Sequence, residues 1–329
     1  MTERTADDVG AGLVPVLGAV EAATLAQTFA AALEIDLFGA LSETSADVGE
    51  LADELGLHLR ALPDFLDALV AVGLLVSEDD RYRATAAGRH HLSGGSPDYI
   101  GHFLVAPAQG ESDLARLLRT GAPADHGGGG DPYTNPHIAG GFIAFMDAMN
   151  AMVSTELARS IDWSAHRSFV DVDGARGGLA LDLAAAYPHL RGTVVDRAEV
   201  EPYFREHVSG HEAAERLTFR TSGGPLPETD VVLIGGVLHD MPDKAKVDLL
   251  RRAATAVGDQ GLVLVYDNMI DDDRSHASAL LASLRMMLAV PEGGEYTVAE
   301  CREWLGQAGL TVVHTGNLLT DTLLHARRG

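Results

Sequence analysis

At 329 residues the chain is long for one core and suits two domains of about 150 residues each. Its composition, 46% hydrophobic and 22% charged with 36 glycines, is that of an ordinary globular protein and excludes the disordered and fibrous classes. A net charge of −24, from 48 acidic against 24 basic residues, repels phosphate backbones and anionic lipid, so nucleic acid and membranes are not expected partners.

The opening MTERTADDVGAG is acidic, with no basic flank before an apolar core, so neither a secretory signal nor a transit peptide is expected and the location reads as cytoplasmic. No uncharged apolar run approaches the ~20 residues that cross a bilayer. The one cysteine, Cys301, excludes intrachain disulfides and thiolate metal clusters, and no role is assigned to it.

From Leu25 to Leu41 apolar residues recur every four positions (Leu25, Phe29, Leu33, Leu37, Leu41), predicting a helix that needs an apolar partner. Two shorter helices are predicted over Val48 to Leu55 and Leu59 to Val72, with Pro63 tolerated near the start of the second. Strand-like Leu74 to Ser77 and Arg81 to Ala84 flank the turn-like Glu78-Asp79-Asp80. Helix, turn, helix and β-wing is a winged-helix order. The second helix carries Asp64 and Asp67 against one basic residue, Arg60, so dimerisation or core packing is expected rather than groove reading.

Ser93 to Pro136 is rich in Gly, Pro, Asp and His, with Gly127 to Gly130 in a row and a helical hint only at Leu114 to Leu118; it reads as linker or lid. Helical period returns from Ile138 through Leu157, with Phe142, Phe145, Met146 and Met149 on or near one face. Core packing and the lining of a substrate cavity are both open readings of that face.

Beyond Trp163, β-rich runs alternate with helices: Ser168 to Val172, Gly192 to Asp196, Leu217 to Thr221, Asp230 to Gly235 and Gly261 to Asp267. That alternation predicts a doubly wound, mostly parallel sheet, which Leu310 to Thr315 and Thr322 to Ala326 can close as an antiparallel pair. The expected division is a mainly helical winged-helix-like domain over 1–100, a linker with bridging helices over 101–160, and a Rossmann-like α/β domain over 161–329.

Ligands of such sheets bind beyond the carboxyl ends of the strands. After the first strand comes Asp171-Val172-Asp173-Gly174-Ala175-Arg176-Gly177-Gly178, a glycine turn opening a helix. Asp196 ends the second strand near the ~20-residue offset at which an acid accepts ribose hydroxyls. The fourth strand runs into Gly235-Gly236-Val237-Leu238-His239-Asp240 and the fifth into Asp267-Asn268. A histidine at a strand end acts as a general base when an acid orients its ring, and Asp267 and Glu295 are candidates for that acid.

Taken in order, IDLFGALSE, LADELGLHLRALPDFLDALVAVGLL, FVDVDGARGGLALDLAAAYPHLRGTVVD, VLHDMPDKAKVDLLRRAATAV and GGEYTVAECREWLGQAGL resemble the S-adenosylmethionine-dependent O-methyltransferases of the caffeate type and of bacterial polyketide and aromatic natural-product biosynthesis. The resemblance implies a class I methyltransferase domain, a homodimer, and a small aromatic or polyketide-like acceptor. It also implies a donor site drawn from Asp171, Asp173, Gly174, Gly177, Asp196, Ser222 and Gly235, and a base, His239, flanked by Asp267 and Glu295. Phe142, Phe145, Met146, Met149, Asn268, Met286 and Met287 form a mostly apolar acceptor set. No metal requirement is expected, and Asp271-Asp272-Asp273 reads as a solvated turn.

Two departures stand out. The family usually has glycine where this chain has Asp173 and Ala175, and a Gly-Asp pair with bulky residues where it runs Arg220-Thr221-Ser222-Gly223-Gly224-Pro225. They keep open an alternative in which the scaffold serves non-methylating chemistry such as hydroxylation, decarboxylation, cyclisation or rearrangement, with altered donor use.

Overall fold

The four-residue apolar period from Leu25 to Leu41 does not produce a single helix. In the computed structural model, which describes residues 14–104, 117, 131–135, 137–290, 292–319 and 321–329, α1 spans Val14–Glu34 and α2 spans Leu37–Ala40. Asp36 breaks the run: its backbone is left-handed, φ 50°, a conformation aspartate tolerates better than most residues. Its carboxylate accepts the Gly94 N–H at 3.2 Å, a tertiary contact to which the apolar period carries no clue.

The other helices of the first unit follow their local signals. Helix α3 (Val48–Leu55) starts with a reciprocal Asp47–Glu50 capping box and stops at Gly56 in the left-handed region. Helix α4 (Leu62–Ala71) has Pro63 in its first turn. Leu37, Phe38, Leu41, Leu51, Leu66 and Leu69 are fully buried between them. Strands β1 (Leu75–Glu78) and β2 (Arg81–Ala84) pair antiparallel as the wing, tied to the helices by Arg81–Glu50 at 2.8 Å and by the Tyr82 hydroxyl donating to Asp67 at 2.8 Å. Residues 21–27 of α1 stay exposed.

The chain divides between residues 107 and 108, and α5 (Ala139–Ser160) belongs to the second unit. The expected helix at Leu114 to Leu118, Leu117 excepted, and the Gly127 to Gly130 run lie outside the described residues.

The second unit is a doubly wound sheet of β3 (Ser168–Val172), β4 (Arg191–Asp196), β5 (Leu217–Thr221), β6 (Val231–Gly235), β7 (Leu262–Asp267), β8 (Leu310–Leu318) and β9 (Asp321–Arg328). The spatial order is β5-β4-β3-β6-β7-β9-β8. The first five strands are parallel, and β9 runs antiparallel to both β7 and β8. The buried strands split by parity, as a pleat requires. Leu233, Leu264 and Tyr266 pack under α5, α6 (Gly178–Ala186) and α7 (Glu201–Val208), whereas Ile234, Val263 and Val265 pack under α8 (Asp243–Val257) and α10 (Val298–Gln307). Helix α9 (Ala277–Ala289) follows β7. The order reverses at β3, so the crevice between β3 and β6 opens at the carboxyl ends of β3, β4, β6 and β7.

Candidate active site

Three loops place one histidine between two acids. His239 lies in the short turn Leu238–Asp240 after β6, Asp267 is the last residue of β7, and Glu295 precedes α10, whose Thr297–Glu300 capping box fixes the helix start. The Gly294 N–H donates to the His239 carbonyl at 3.0 Å, and the Glu295 N–H donates to Ser283 Oγ at 3.1 Å. His239 Nδ1 is 3.1 Å from Asp267 Oδ1 and 3.1 Å from Glu295 Oε1. Shared between two acceptors, it lines up with neither for a linear hydrogen bond.

Both carboxylates are almost completely buried, and the imidazole keeps 14% of its side-chain surface. Burial opposes a charged ring here, but the two carboxylates of Asp267 and Glu295, each 3.1 Å from Nδ1, outweigh it and push the His239 pKa up to about 11. Burial likewise raises the Glu295 carboxyl, against the pull of His239. With Nδ1 turned inward, Nε2 is the nitrogen left for a ligand; Asp240 Oδ1 is 3.7 Å away. Among the described residues, this triad is the one group whose possible metal-donor atoms all lie within 4.8 Å of one another.

Tyr296, which the sequence reading passed over, donates its hydroxyl to Asp267 Oδ2 at 2.7 Å. Its ring meets Trp304 edge-on at 5.0 Å, and the buried Lys246 ammonium lies 4.2 Å from the Trp304 ring centre. Its proximity in sequence to Glu295 was the available signal, and only the fold shows that the hydroxyl turns to the other acid. Cys301 lies in the same core, where burial pushes its thiol up to about 12, far from reactive thiolate chemistry.

The second cluster surrounds the glycine turn between β3 and α6. Asp173 and Ala175 take the left-handed conformation, φ 54° and 49°, which costs about 1–3 kcal/mol each for residues with a Cβ. The turn is locked from β4: the Asp173 N–H donates to the Val195 carbonyl at 2.8 Å, and Asp196 accepts the N–H groups of Ala175 at 2.9 Å and Arg197 at 2.6 Å. Gly174 is needed for space, because a Cβ there would lie 2.4 Å from Asp171 Oδ2. That oxygen is buried without a hydrogen-bond partner.

Burial, and then neighbouring negative charge, raises Asp171 to about 8 and Asp173 to about 7. Burial also raises Asp196 to about 6, against its two backbone hydrogen bonds. The unpartnered Asp171 oxygen in an electron-rich pocket fits a cationic ligand, and S-adenosylmethionine carries both a sulfonium and an ammonium. Ser222 joins this region through its N–H, which donates to the Asp196 carbonyl at 2.7 Å. Gly235 has a packing reason of its own, since a Cβ there would lie 1.9 Å from the Tyr266 ring.

Residues missed by sequence reading support the turn. Asp147 of α5 accepts the Gly178 N–H at 2.8 Å, capping α6, and pairs with Arg176 Nε at 2.8 Å. An acid within the apolar first half of that helix was the signal. Arg197 pairs with Asp131 and lies 4.5 Å over the Tyr133 ring. Tyr133 meets Phe142 edge-on at 5.1 Å. Met146, read as an acceptor residue, is half-buried and packs against Ile143, Ala175 and Val200 beside the turn. Met149 and Met287 are exposed, and Phe142, Phe145, Asn268 and Met286 are half-buried. Met287 adjoins Gly294, one residue from Glu295. The Asp271 carboxylate closes a local turn by accepting the Ser275 and His276 N–H groups.

Residues 126–311 match the O-methyltransferase domain family, and residues 19–94 match the O-methyltransferase dimerisation domain. The chain is 43% identical to a tetracenomycin polyketide synthesis 8-O-methyl transferase of Streptomyces glaucescens, over 90% of this chain and 91% of the relative. It is 31% identical to an aclacinomycin 10-hydroxylase of Streptomyces purpurascens, over 80% of this chain and 75% of the relative. Human N-acetylserotonin methyltransferase, solved in complex with S-adenosylmethionine, superposes with a TM-score of 0.76 at 25% identity, covering 99% of this chain and 100% of that one. Domain matches, relatives and the acidic donor turn agree that the chain belongs to the S-adenosylmethionine-dependent O-methyltransferase family.

Proposed function

We propose that this enzyme methylates a hydroxyl of a small aromatic or polyketide-like molecule, with His239 as general base. The observation that carries the proposal is the clamp on Nδ1 by Asp267 and Glu295, which leaves Nε2 outside the clamp. The 8-O-methyl transferase of tetracenomycin polyketide synthesis supports a polyketide-like acceptor. When bound, S-adenosylmethionine supplies a methyl group activated by its positively charged sulfur. Asp196 and Ser222 would hold its ribose side, and Asp171, Asp173, Gly174 and Gly177 line the turn along which it lies. Gly235 frames the pocket at the end of β6.

The chain's own chemistry is proton handling. A phenol is a weak nucleophile until its proton leaves, and Nε2 receives that proton while Asp267 and Glu295 stabilise the imidazolium. With the ring's pKa near 11, an imidazolium meeting a phenolate and a neutral ring meeting a phenol contain the same protons, so both describe one reactive complex. Phe142, Phe145, Met149, Asn268, Met286 and Met287 would orient the acceptor, which converts a two-body encounter into a local one. No metal enters this scheme, and turnover is expected to survive chelation. The matched dimerisation domain and the exposed stretch of α1 support a homodimer.

A second reading has specific support. Asp173 stands where the family usually has glycine, and one relative is a 10-hydroxylase, which favours non-methylating chemistry on this scaffold. Incubation of the enzyme with methyl-labelled donor and phenolic polyketides, followed by mass spectrometry, separates the two. A labelled methyl ether supports O-methylation, and an oxygenated, decarboxylated or rearranged product without label supports the alternative. His239→Ala should lower kcat by ~10²- to 10⁴-fold. A loss of only a few-fold would remove the general-base assignment and leave catalysis to positioning.

A further inference from the structure

The carboxylates around the glycine turn are more numerous than ribose recognition needs. Asp171 Oδ2 is buried and unpartnered. Asp196 already spends an oxygen on each of two backbone N–H groups. Asp173, the residue that replaces the family's usual glycine, adds a third carboxylate to the same turn at the cost of a left-handed backbone. A strained residue at a ligand site is retained when its side chain contributes to function.

The charges facing this cluster do not neutralise it. From α5, Asp147 faces Asp171; beyond β6, Asp240 faces Asp173; beyond β4, Glu199 faces Asp196. The phenols of Tyr133 and Tyr266 also face it and carry no charge near neutral pH. On the positive side stand Arg197, already paired with Asp131, and Arg252 of α8, whose guanidinium also donates to the Gly224 carbonyl. Arg176 is taken by Asp147.

Building on the use of S-adenosylmethionine, we propose that Asp173, with Asp171 and Asp196, makes the donor pocket a proton-linked charge filter. The cluster sheds protons when the sulfonium donor binds and regains them when the neutral thioether product is left behind. The donor then outcompetes the product more strongly as pH rises. The physical basis is linkage: a carboxyl whose proton is held by burial gives it up when a fixed positive charge arrives, and affinity for that charge falls as the group is protonated. The raised values of about 6, 7 and 8 put this exchange around neutral pH. S-adenosylhomocysteine keeps the ammonium and lacks the sulfonium, so the pair of ligands differs by the one charge in question.

The test is calorimetric titration of the full chain with S-adenosylmethionine and with S-adenosylhomocysteine at pH 5.5, 6.25 and 7.0, in buffers of contrasting ionisation enthalpy. These values lie below the ~7.7–8 of an α-amino group, so the ligands' own ammonium stays charged. In the wild type the affinity for donor relative to product should rise about five-fold across the range, with more protons released by the donor than by the product. Asp173→Asn should cut that rise below about two-fold. Asp173→Gly, which also relieves the backbone strain, should do the same and serves if the asparagine variant folds poorly. Parallel pH dependence for the two ligands in the wild type, or an unchanged contrast in both variants, overturns the filter while leaving donor use intact. Failure of either ligand to bind at any pH overturns donor use and the filter together.

Discussion

Asp267 is held on two sides, by the His239 ring at 3.1 Å and by the Tyr296 hydroxyl at 2.7 Å. Removing the tyrosine hydroxyl leaves a buried carboxylate short of a donor, and a hydrogen bond to a charged group is worth about 1.5–3 kcal/mol. Tyr296→Phe should therefore lower kcat by ~10-fold or more through a misplaced imidazole, with donor affinity by calorimetry unchanged. An equal loss in donor affinity would show that Tyr296 supports the sheet in general. His239 and Asp267 were open to reading in the sequence because each sits at or just beyond a strand end, where ligands of such sheets bind, and Glu295 entered through the resemblance to the family. Tyr296 and Asp147 were not: an aromatic beside an acid and an acid in the apolar first half of a helix acquire their roles only from residues 29 and 31 positions away.

Local pattern dictated most elements. Ser168 to Val172 forms a strand over the residues expected, and the late β-prone runs close the sheet antiparallel beside β7. Strands of this kind are short apolar runs buried on both faces, which survive in sequence as a signal. The break between α1 and α2 is different, because Asp36 is turned left-handed by a bond to Gly94, 58 positions on. The membership of α5 in the second unit depends likewise on Val153 and Leu157 entering the core under the sheet. Asp147 joins α5 to the start of α6, where its carboxylate complements the exposed N–H groups of the first turn. Asp147→Ala should destabilise the protein by about 1–2 kcal/mol in denaturant unfolding, with donor binding weakened as the turn loosens. An unchanged midpoint would mean that Arg176 and Gly178 find other partners.

The raised pKa values of the two clusters act together on the whole molecule. Asp171, Asp173 and Asp196 hold protons up to about 8, 7 and 6 when folded, against about 3.9 in an unfolded chain. The folded state thus binds more protons between those values, and stability falls as pH rises through them. His239, raised to about 11, stabilises fully below its unfolded value of about 6.5 and less as pH climbs beyond it. Both trends have the same sign. Donor-free protein should melt at least a few degrees lower at pH 8 than at pH 6, and saturating S-adenosylmethionine should reduce the difference; a flat or rising profile would contradict the buried cluster. At the same scale, sedimentation at micromolar concentration should give twice the 34.7 kDa chain mass, and a monomer would leave the exposed stretch of α1 without its expected partner.

The antiparallel finish of the sheet has a bearing on synthesis. Strand β7 carries Asp267 at its end, yet its outer edge is covered only by β9, which begins 54 residues later at Asp321. At about 5–20 residues per second, a ribosome needs several seconds to supply that cover. Throughout that interval an apolar strand with unpaired N–H and C=O groups lies open to neighbouring nascent chains, the situation in which edge-to-edge aggregation begins. Expression of this enzyme should therefore tolerate slow synthesis poorly between Asp267 and Asp321, and the soluble yield should depend on how quickly that stretch is translated.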